Sequence, residues 1–94
     1  MDPGRSDIFI ADVVVSTTGR DAGNWFYVIN EDPVFLYLAN GKDRTLEKPK
    51  RKKRKHVAKV LRSETRVAEK LRHGDKVLNG ELRRIIYSSY NLGG

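Results

Sequence analysis

The sequence predicts a mainly β protein: a small antiparallel barrel of about five strands, followed by one or two C-terminal α-helices. Up to Leu61, short runs of β-branched and aromatic residues alternate with turn residues. Beyond that point the apolar residues take the three-and-four spacing of a helix. The chain has 94 residues, of which 38% are hydrophobic and 33% are charged. This composition supports one modest core and is too apolar for general disorder.

The pattern divides the chain into four segments. Residues 1–7 form a flexible lead-in, and residues 8–61 form the barrel, which includes a basic loop at residues 48–55. Residues 62–88 form a helical extension. Residues 89–94 form a frayed tail, because chain ends are poorly ordered unless they are tied down.

The first three strands are predicted at residues 8–16, 25–30 and 34–39, where strand-forming residues lie between turns. Side chains alternate across a strand, so the second strand has two apolar faces. The sequence leaves open which of them is the core, and a small barrel can bury parts of both. One face carries Phe26 and Val28, and the other carries Trp25, Tyr27 and Ile29.

Turn residues define the next elements. Asn40-Gly41 predicts a two-residue hairpin, because a type I′ turn needs positive φ at both of its central positions. A short fourth strand is therefore expected at residues 44–47. A fifth strand is expected at residues 56–61, after the basic run.

Two helices are predicted after the last strand. Ser63 is the expected N-cap of the first helix, which ends at His73 before the helix-terminating Gly74. The second helix is predicted at residues 79–87, because three apolar residues in it follow i, i+3 and i+4 spacing. Asn79-Gly80 permits another hairpin as the less favoured alternative.

The charge of the chain is concentrated in its second half. The 19 Lys and Arg residues outnumber the 12 Asp and Glu residues, which gives a net charge of +7. Residues 1–47 carry a net −4, and residues 48–94 carry a net +11. Seven of the eight residues at 48–55 are cations, and no acid lies between Glu47 and Glu64. Such a block of like charges repels itself unless an anionic partner faces it, and this predicts a segment that binds an anion. The alternative interpretation is a solvated basic loop without a function.

Several function classes are excluded by the same composition. The chain has no cysteine, so it forms neither disulfides nor thiolate metal sites, and two histidines cannot complete a zinc site. No run is apolar enough for a membrane span, and the first residues lack a secretory signal. No catalytic triad, paired-carboxylate motif or phosphate-binding loop is present. We therefore expect a non-enzymatic cytoplasmic protein without a metal or cofactor.

Three segments carry a family resemblance. DVVVSTTGRDAG at residues 12–23, followed by an aromatic and aliphatic strand, resembles a KOW motif. Together with NGK at residues 40–42 and LEKPKRKK at residues 46–53, it resembles the bacterial KOW-domain RNA-binding proteins. These are similar to KOW-containing large-subunit ribosomal proteins of archaea and eukaryotes. The resemblance covers residues 12–61 well and the helical tail more loosely, and it implies an SH3-like barrel that binds RNA.

The basic run is the predicted RNA contact, since closely spaced cations neutralise phosphates. Pro49 disfavours helix and strand alike, so the run is expected to leave the barrel as a loop. The glycine-containing loop at residues 19–23 either brings Arg20 close to RNA or is a plain tight turn. The candidate RNA-binding residues are Arg20, Lys42, Arg44, Lys48, Lys50, Arg51, Lys52, Lys53, Arg54, Lys55 and His56.

Three aromatic residues are candidates for base stacking, although packing in the barrel is the favoured interpretation of each. They are Trp25, Tyr27 and Tyr37.

The expected function is binding of structured RNA, with ribosomal RNA as the expected class, by a monomer associated with the ribosome or translation. Ribosomal or translation-factor proteins are expected as further partners. The main alternative is a protein-interaction module of the transcription and translation machinery, in which the aromatic face would be primary and the basic run secondary. A third hypothesis is that the basic run is a nuclear import signal. A role at a membrane surface is the least favoured hypothesis, because the basic run is not amphipathic.

Overall fold

The computed structural model describes residues 7–93, with side chains as far as Ser88. The predicted lead-in therefore lies outside the described residues except for Asp7, and so do the side chains of the predicted tail at residues 89–94. The mainly β fold with a helical tail is confirmed. The elements are β1 (Asp12–Ser16), β2 (Trp25–Glu31), β3 (Phe35–Ala39), β4 (Lys50–Lys53), a 3-10 helix (Arg54–His56), β5 (Val57–Arg62), α1 (Arg66–His73) and α2 (Asn79–Gly93).

The five strands form one antiparallel sheet in the order β4-β3-β2-β1-β5. The outer strands of a flat five-stranded sheet lie about 19 Å apart. Only the 3-10 helix separates the end of β4 from the start of β5, and the four residue steps from Lys53 to Val57 span at most about 14 Å. The sheet therefore curls until its edges approach each other at this helix. Register shifts in β1 and β2 are irregularities of the kind that bend strands.

Both faces of the sheet are buried, each against a different layer. On the inner face the curled strands pack against one another. On the helix face, Tyr27 of β2 packs with Val67 of α1 and Leu82 of α2. Both predicted faces of β2 are therefore core, with Phe26 and Val28 on the inner face. The inner cluster comprises Ile8, Val14, Phe26, Val28, Leu36, Leu38 and Val57.

The predicted strand at residues 44–47 is wrong, because residues 40–49 form an irregular connection between β3 and β4. The predicted two-residue hairpin is wrong for the same reason. Gly41 has φ of 81°, but Asn40 does not have positive φ. Instead, the Asn40 side-chain carbonyl accepts hydrogen bonds from the backbone N–H groups of Lys42 (3.0 Å) and Arg44 (3.2 Å). These bonds, with those from the backbone N–H groups of Asn40 and Gly41 to the Arg44 oxygen, close a local turn in place of a paired strand.

The N-cap of α1 is Thr65 and not Ser63. The Thr65 hydroxyl accepts a hydrogen bond from the backbone N–H of Ala68 (3.2 Å). Ser63 is buried, and its hydroxyl shares a 3.0 Å hydrogen bond with the hydroxyl of Tyr27. This contact gives a hydrogen-bond partner to the hydroxyl of Tyr27, the only polar group of that fully buried side chain. The predicted end of α1 is confirmed, since Gly74 adopts φ of 74° as the C-cap.

The second helix starts at the predicted residue, and the alternative hairpin at Asn79-Gly80 is wrong. The Glu81 carboxylate accepts a hydrogen bond from the backbone N–H of Leu78 (2.9 Å), which satisfies a donor at the helix start. α2 then continues past residue 87 to Gly93. Among the described residues, no helix combines the length and the apolar character that crossing a membrane requires.

Candidate nucleic-acid interface

Most of the basic run is not a loop, and only Lys48 and Pro49 lie in the irregular connection. Lys50–Lys53 pair with β3 as the edge strand β4, and Arg54–His56 form the 3-10 helix. Pro49 stands immediately before β4. Proline is tolerated there because the first residue of an edge strand need not donate a hydrogen bond to a neighbour. The proline therefore marks where the strand begins.

Strand geometry separates the cations of the run into two groups. Side chains on a strand alternate between faces, and directly opposed residues of an antiparallel pair share a face. Lys52 is opposite the buried Leu36, so it points to the inner face. Arg51 and Lys53 point to the other face, where Arg51 is opposite Tyr37.

Lys52 has a structural role, and its side chain is only 8% exposed. Its ammonium group lies 2.6 Å from the Asp21 carboxylate and 2.6 Å from the backbone oxygen of Thr18. The Ser16 hydroxyl also donates to Asp21, at 2.9 Å. These contacts tie the β1–β2 loop, which carries Arg20, to strand β4.

The ionisation of Asp21 reflects this arrangement. Partial burial acts to raise the pKa of the Asp21 carboxyl, but the hydrogen bonds from Lys52 and Ser16 outweigh it. The net result is a pKa below the ordinary value of 3.8. Asp21 is therefore a carboxylate at neutral pH, and it supplies the negative charge that a buried ammonium group requires.

Arg54 is likewise engaged by the protein. Its guanidinium group donates to the backbone oxygens of Asp32 (2.8 Å) and Ile8 (3.1 Å) and to the Glu31 carboxylate (3.2 Å). The second Glu31 oxygen accepts from the backbone N–H of Ile10 (2.9 Å). Arg54 thus fastens the segment before β1 to the β2–β3 turn.

The outward residues of β4 and β3 form a mixed cationic and aromatic surface, which we call the β4 face: Phe35, Tyr37, Arg51 and Lys53. The Arg51 guanidinium carbon lies 4.4 Å from the centroid of the Phe35 ring, within the range of a cation–π interaction. The Tyr37 hydroxyl donates to the Asp32 carboxylate at 3.3 Å. Both cations are exposed and both aromatic side chains are half-buried. The β4 face therefore offers charge and ring surface to the same ligand.

The predicted stacking residues differ in their surroundings. Tyr27 is completely buried, so its ring is out of reach of a base. Trp25 is half-buried and packs against the helix-face core. Tyr37 alone of the three belongs to the β4 face. Phe35 was not among the predicted stacking residues, although it precedes Tyr37 by two residues and must share its face in a strand.

The other predicted residues are distributed around the molecule. Lys55 is exposed in the 3-10 helix, next to the end of β4, while Lys50 and His56 are half-buried. Arg20 is exposed in the β1–β2 loop. The remaining cations, all exposed, lie on the connection between β3 and β4. They are Lys42, Arg44 and Lys48.

A scan against protein-family models finds no match to this chain. A search of the curated proteins also finds none. What the protein binds must therefore be inferred from its own residues.

Proposed function

We propose that the protein is a non-catalytic RNA-binding protein that contacts structured RNA through the β4 face. The single observation that carries this proposal is the composition of that face. Exposed Arg51 and Lys53 stand beside half-buried Phe35 and Tyr37 on two paired strands. Cations neutralise phosphates, and aromatic rings stack on unpaired bases. Neither group reads a base sequence here, so we expect recognition of RNA shape.

The proposal agrees with the resemblance of residues 12–61 to the bacterial KOW-domain RNA-binding proteins. On that basis we propose ribosomal RNA as the ligand class and the cytoplasm as the location. We also propose that the protein acts as a monomer, with ribosomal or translation-factor proteins as neighbours.

The fold supports this function by fixing the surface in advance. Outward residues of one strand stand about 6.6 Å apart, so Arg51 and Lys53 can reach different phosphates. Lys52 and Arg54 alternate with them and are bonded to the protein. They hold the strand and the following 3-10 helix in place. A rigid surface loses little conformational entropy when it binds.

The test compares two variants with equal loss of charge. The first removes exposed cations of β4 and the 3-10 helix: Arg51→Gln, Lys53→Gln and Lys55→Gln. The second, the control, removes exposed cations of β5, α1 and the loop after α1: Arg62→Gln, Arg66→Gln and Lys76→Gln. Affinity for a fluorescein-labelled RNA hairpin is measured by anisotropy over a salt series.

We expect the first variant to bind at least about tenfold more weakly than the unmodified protein at low salt. The slope of log affinity against log salt should fall in magnitude by roughly 2 to 3, because each lost phosphate contact removes about 1. The control should keep a slope near that of the unmodified protein. Equal losses in both variants would show that binding follows net charge alone, and the β4 face would then have no special role.

The competing function, a protein-interaction module, has Trp25 as its anchor. Trp25 lines a mostly apolar cleft of about 230 Å³ together with Leu61 and Ile85. Leu61 is 45% exposed, so the cleft offers apolar surface to a partner. A Trp25→Ala variant that binds the RNA hairpin normally, but loses a protein partner, would favour this function.

A further inference from the structure

A second cationic site lies on the helical side of the molecule. An open cleft of about 460 Å³ is lined by Lys42, Gly80, Arg83, Arg84 and Tyr87. Its volume is within the range of small-ligand sites. We call it the α2 cleft. Of its residues, only Lys42 was among the predicted RNA-binding residues.

The cleft is built by a close approach of two chain segments. A Cβ atom on Gly41 would lie 2.0 Å from the backbone oxygen of Asn79, so only glycine lets the connection touch α2 here. The Asn79 side chain then bonds the connection at two points. It accepts from the backbone N–H of Leu46 (2.7 Å) and donates to the Glu47 carboxylate (2.7 Å). Lys42 is therefore held beside the first turns of α2.

Three cations converge on this cleft. The Lys42 ammonium lies 5.1 Å from the centroid of the Tyr87 ring. Arg83 and Arg84 are exposed, consecutive residues of α2. Within residues 7–93, none of the three forms a salt bridge.

Glu81 is the nearby acid on α2, and its carboxylate is already engaged. It accepts hydrogen bonds from the Leu78 backbone N–H (2.9 Å) and from Lys70 (2.9 Å). These bonds, with a smaller contribution from Arg84, lower the pKa of Glu81 below its ordinary value. The cleft cations therefore remain available to an external anion.

We propose that the α2 cleft binds backbone phosphates of the same RNA that contacts the β4 face. This inference rests on the proposed function. The connection that carries Lys42 leads directly into β4 at Lys50, so the cleft and the β4 face lie at successive points of one chain path. Strand β4 has four residues and spans about 13 Å. Eight residue steps separate Lys42 from Lys50, so their Cα atoms lie within about 29 Å of each other. An RNA can span this distance and engage both sites, whereas a single small anion can engage only one.

The experiment adds a third variant to the two described above: Lys42→Gln, Arg83→Gln and Arg84→Gln. All variants are checked by thermal unfolding, and Arg84→Gln and Arg84→Glu are included as single substitutions at an exposed position. Binding of the labelled RNA hairpin is again measured over a salt series. We expect the cleft variant to lose at least about tenfold in affinity and roughly 2 to 3 in salt slope. Arg84→Glu should weaken binding more than Arg84→Gln alone.

The results separate the two proposals. A cleft variant that behaves like the control would overturn this inference, while a loss in the β4 variant would still support the proposed function. A loss in the cleft variant alone would contradict the β4 face, and it would also overturn the inference that one RNA engages both sites. An unmodified protein that fails to bind the hairpin even at low salt would overturn both.

Free phosphate is distinguished from RNA by a nuclear magnetic resonance titration of the amide signals of Lys42, Arg83 and Arg84. The RNA hairpin should shift these signals to saturation, and inorganic phosphate at the same phosphate concentration should not. Saturation by inorganic phosphate together with no response to RNA would contradict the proposal.

Discussion

Two pairs of cations in the same basic run have opposite roles. Lys52 and Arg54 are bonded to the protein, whereas Arg51 and Lys53 face outward. The four residues are consecutive and chemically similar. Strand alternation and the position of distant acids decide which cation belongs to the fold and which is offered to a ligand. A basic segment can therefore supply stability and binding from adjacent residues.

The largest expected effect is on stability, and it comes from Lys52. Lys52→Gln removes the ammonium group and leaves Asp21 partly buried without its charged partner. Breaking such a pair costs about 2 to 4 kcal/mol in free energy of unfolding, because the remaining charge is uncompensated. Arg51→Gln is the control at an outward position, and it should change the free energy of unfolding by less than about 0.5 kcal/mol. Urea denaturation measures both, and equal midpoints for the two variants would contradict the distinction between inward and outward cations.

A smaller effect should appear when pH removes the charge of Asp21 but leaves its side chain in place. The folded-state pKa is below 3.8, so the carboxylate stabilises the native state above that value. This contribution is lost as the pH falls through the folded-state pKa. The Asp21→Asn variant lacks the stabilisation by this carboxylate at every pH. The stability difference between the unmodified protein and Asp21→Asn should therefore shrink as the pH falls below 3.8. A difference that stays constant down to strongly acidic pH would contradict the assigned role of the ion pair.

The smallest effect tests the outward pair. Arg51→Lys keeps the positive charge but removes the planar group that lies over Phe35 and forks onto phosphates. RNA affinity should fall by a factor of about 2 to 5, while the salt slope stays the same, since the number of neutralised phosphates is unchanged. Urea denaturation should show unchanged stability. A reduced salt slope would mean that lysine cannot reach the phosphate that arginine contacts.

The sequence predicted those elements that local residues determine. β2 and β5 lie within a residue of their expected bounds because β-branched and aromatic runs define them. The end of α1 was correct because Gly74 provides the required backbone conformation. β4 was missed because lysine and arginine have no strong strand preference. Its formation depends on pairing with β3, which local sequence does not encode.

The candidate site shows the same division between local and distant information. Charge patterning located the basic segment, but it treated all seven cations alike. Lys52 is distinguished by its inward position opposite Leu36 and by its bond to Asp21, which lies 31 residues earlier in the chain. The α2 cleft depends on contacts between Gly41 and Asn79, and these also exist only in the folded protein.

The position of β4 at the edge of the sheet has a further consequence for the behaviour of the protein in concentrated solution. An edge strand presents unpaired backbone groups that can pair with a second molecule and start aggregation. Here that strand consists entirely of cations, KRKK. Two molecules that approach through this edge repel each other, so the charge that attracts a polyanion also opposes self-association. Replacing these residues by valine or threonine would favour the strand locally and at the same time expose an adhesive edge.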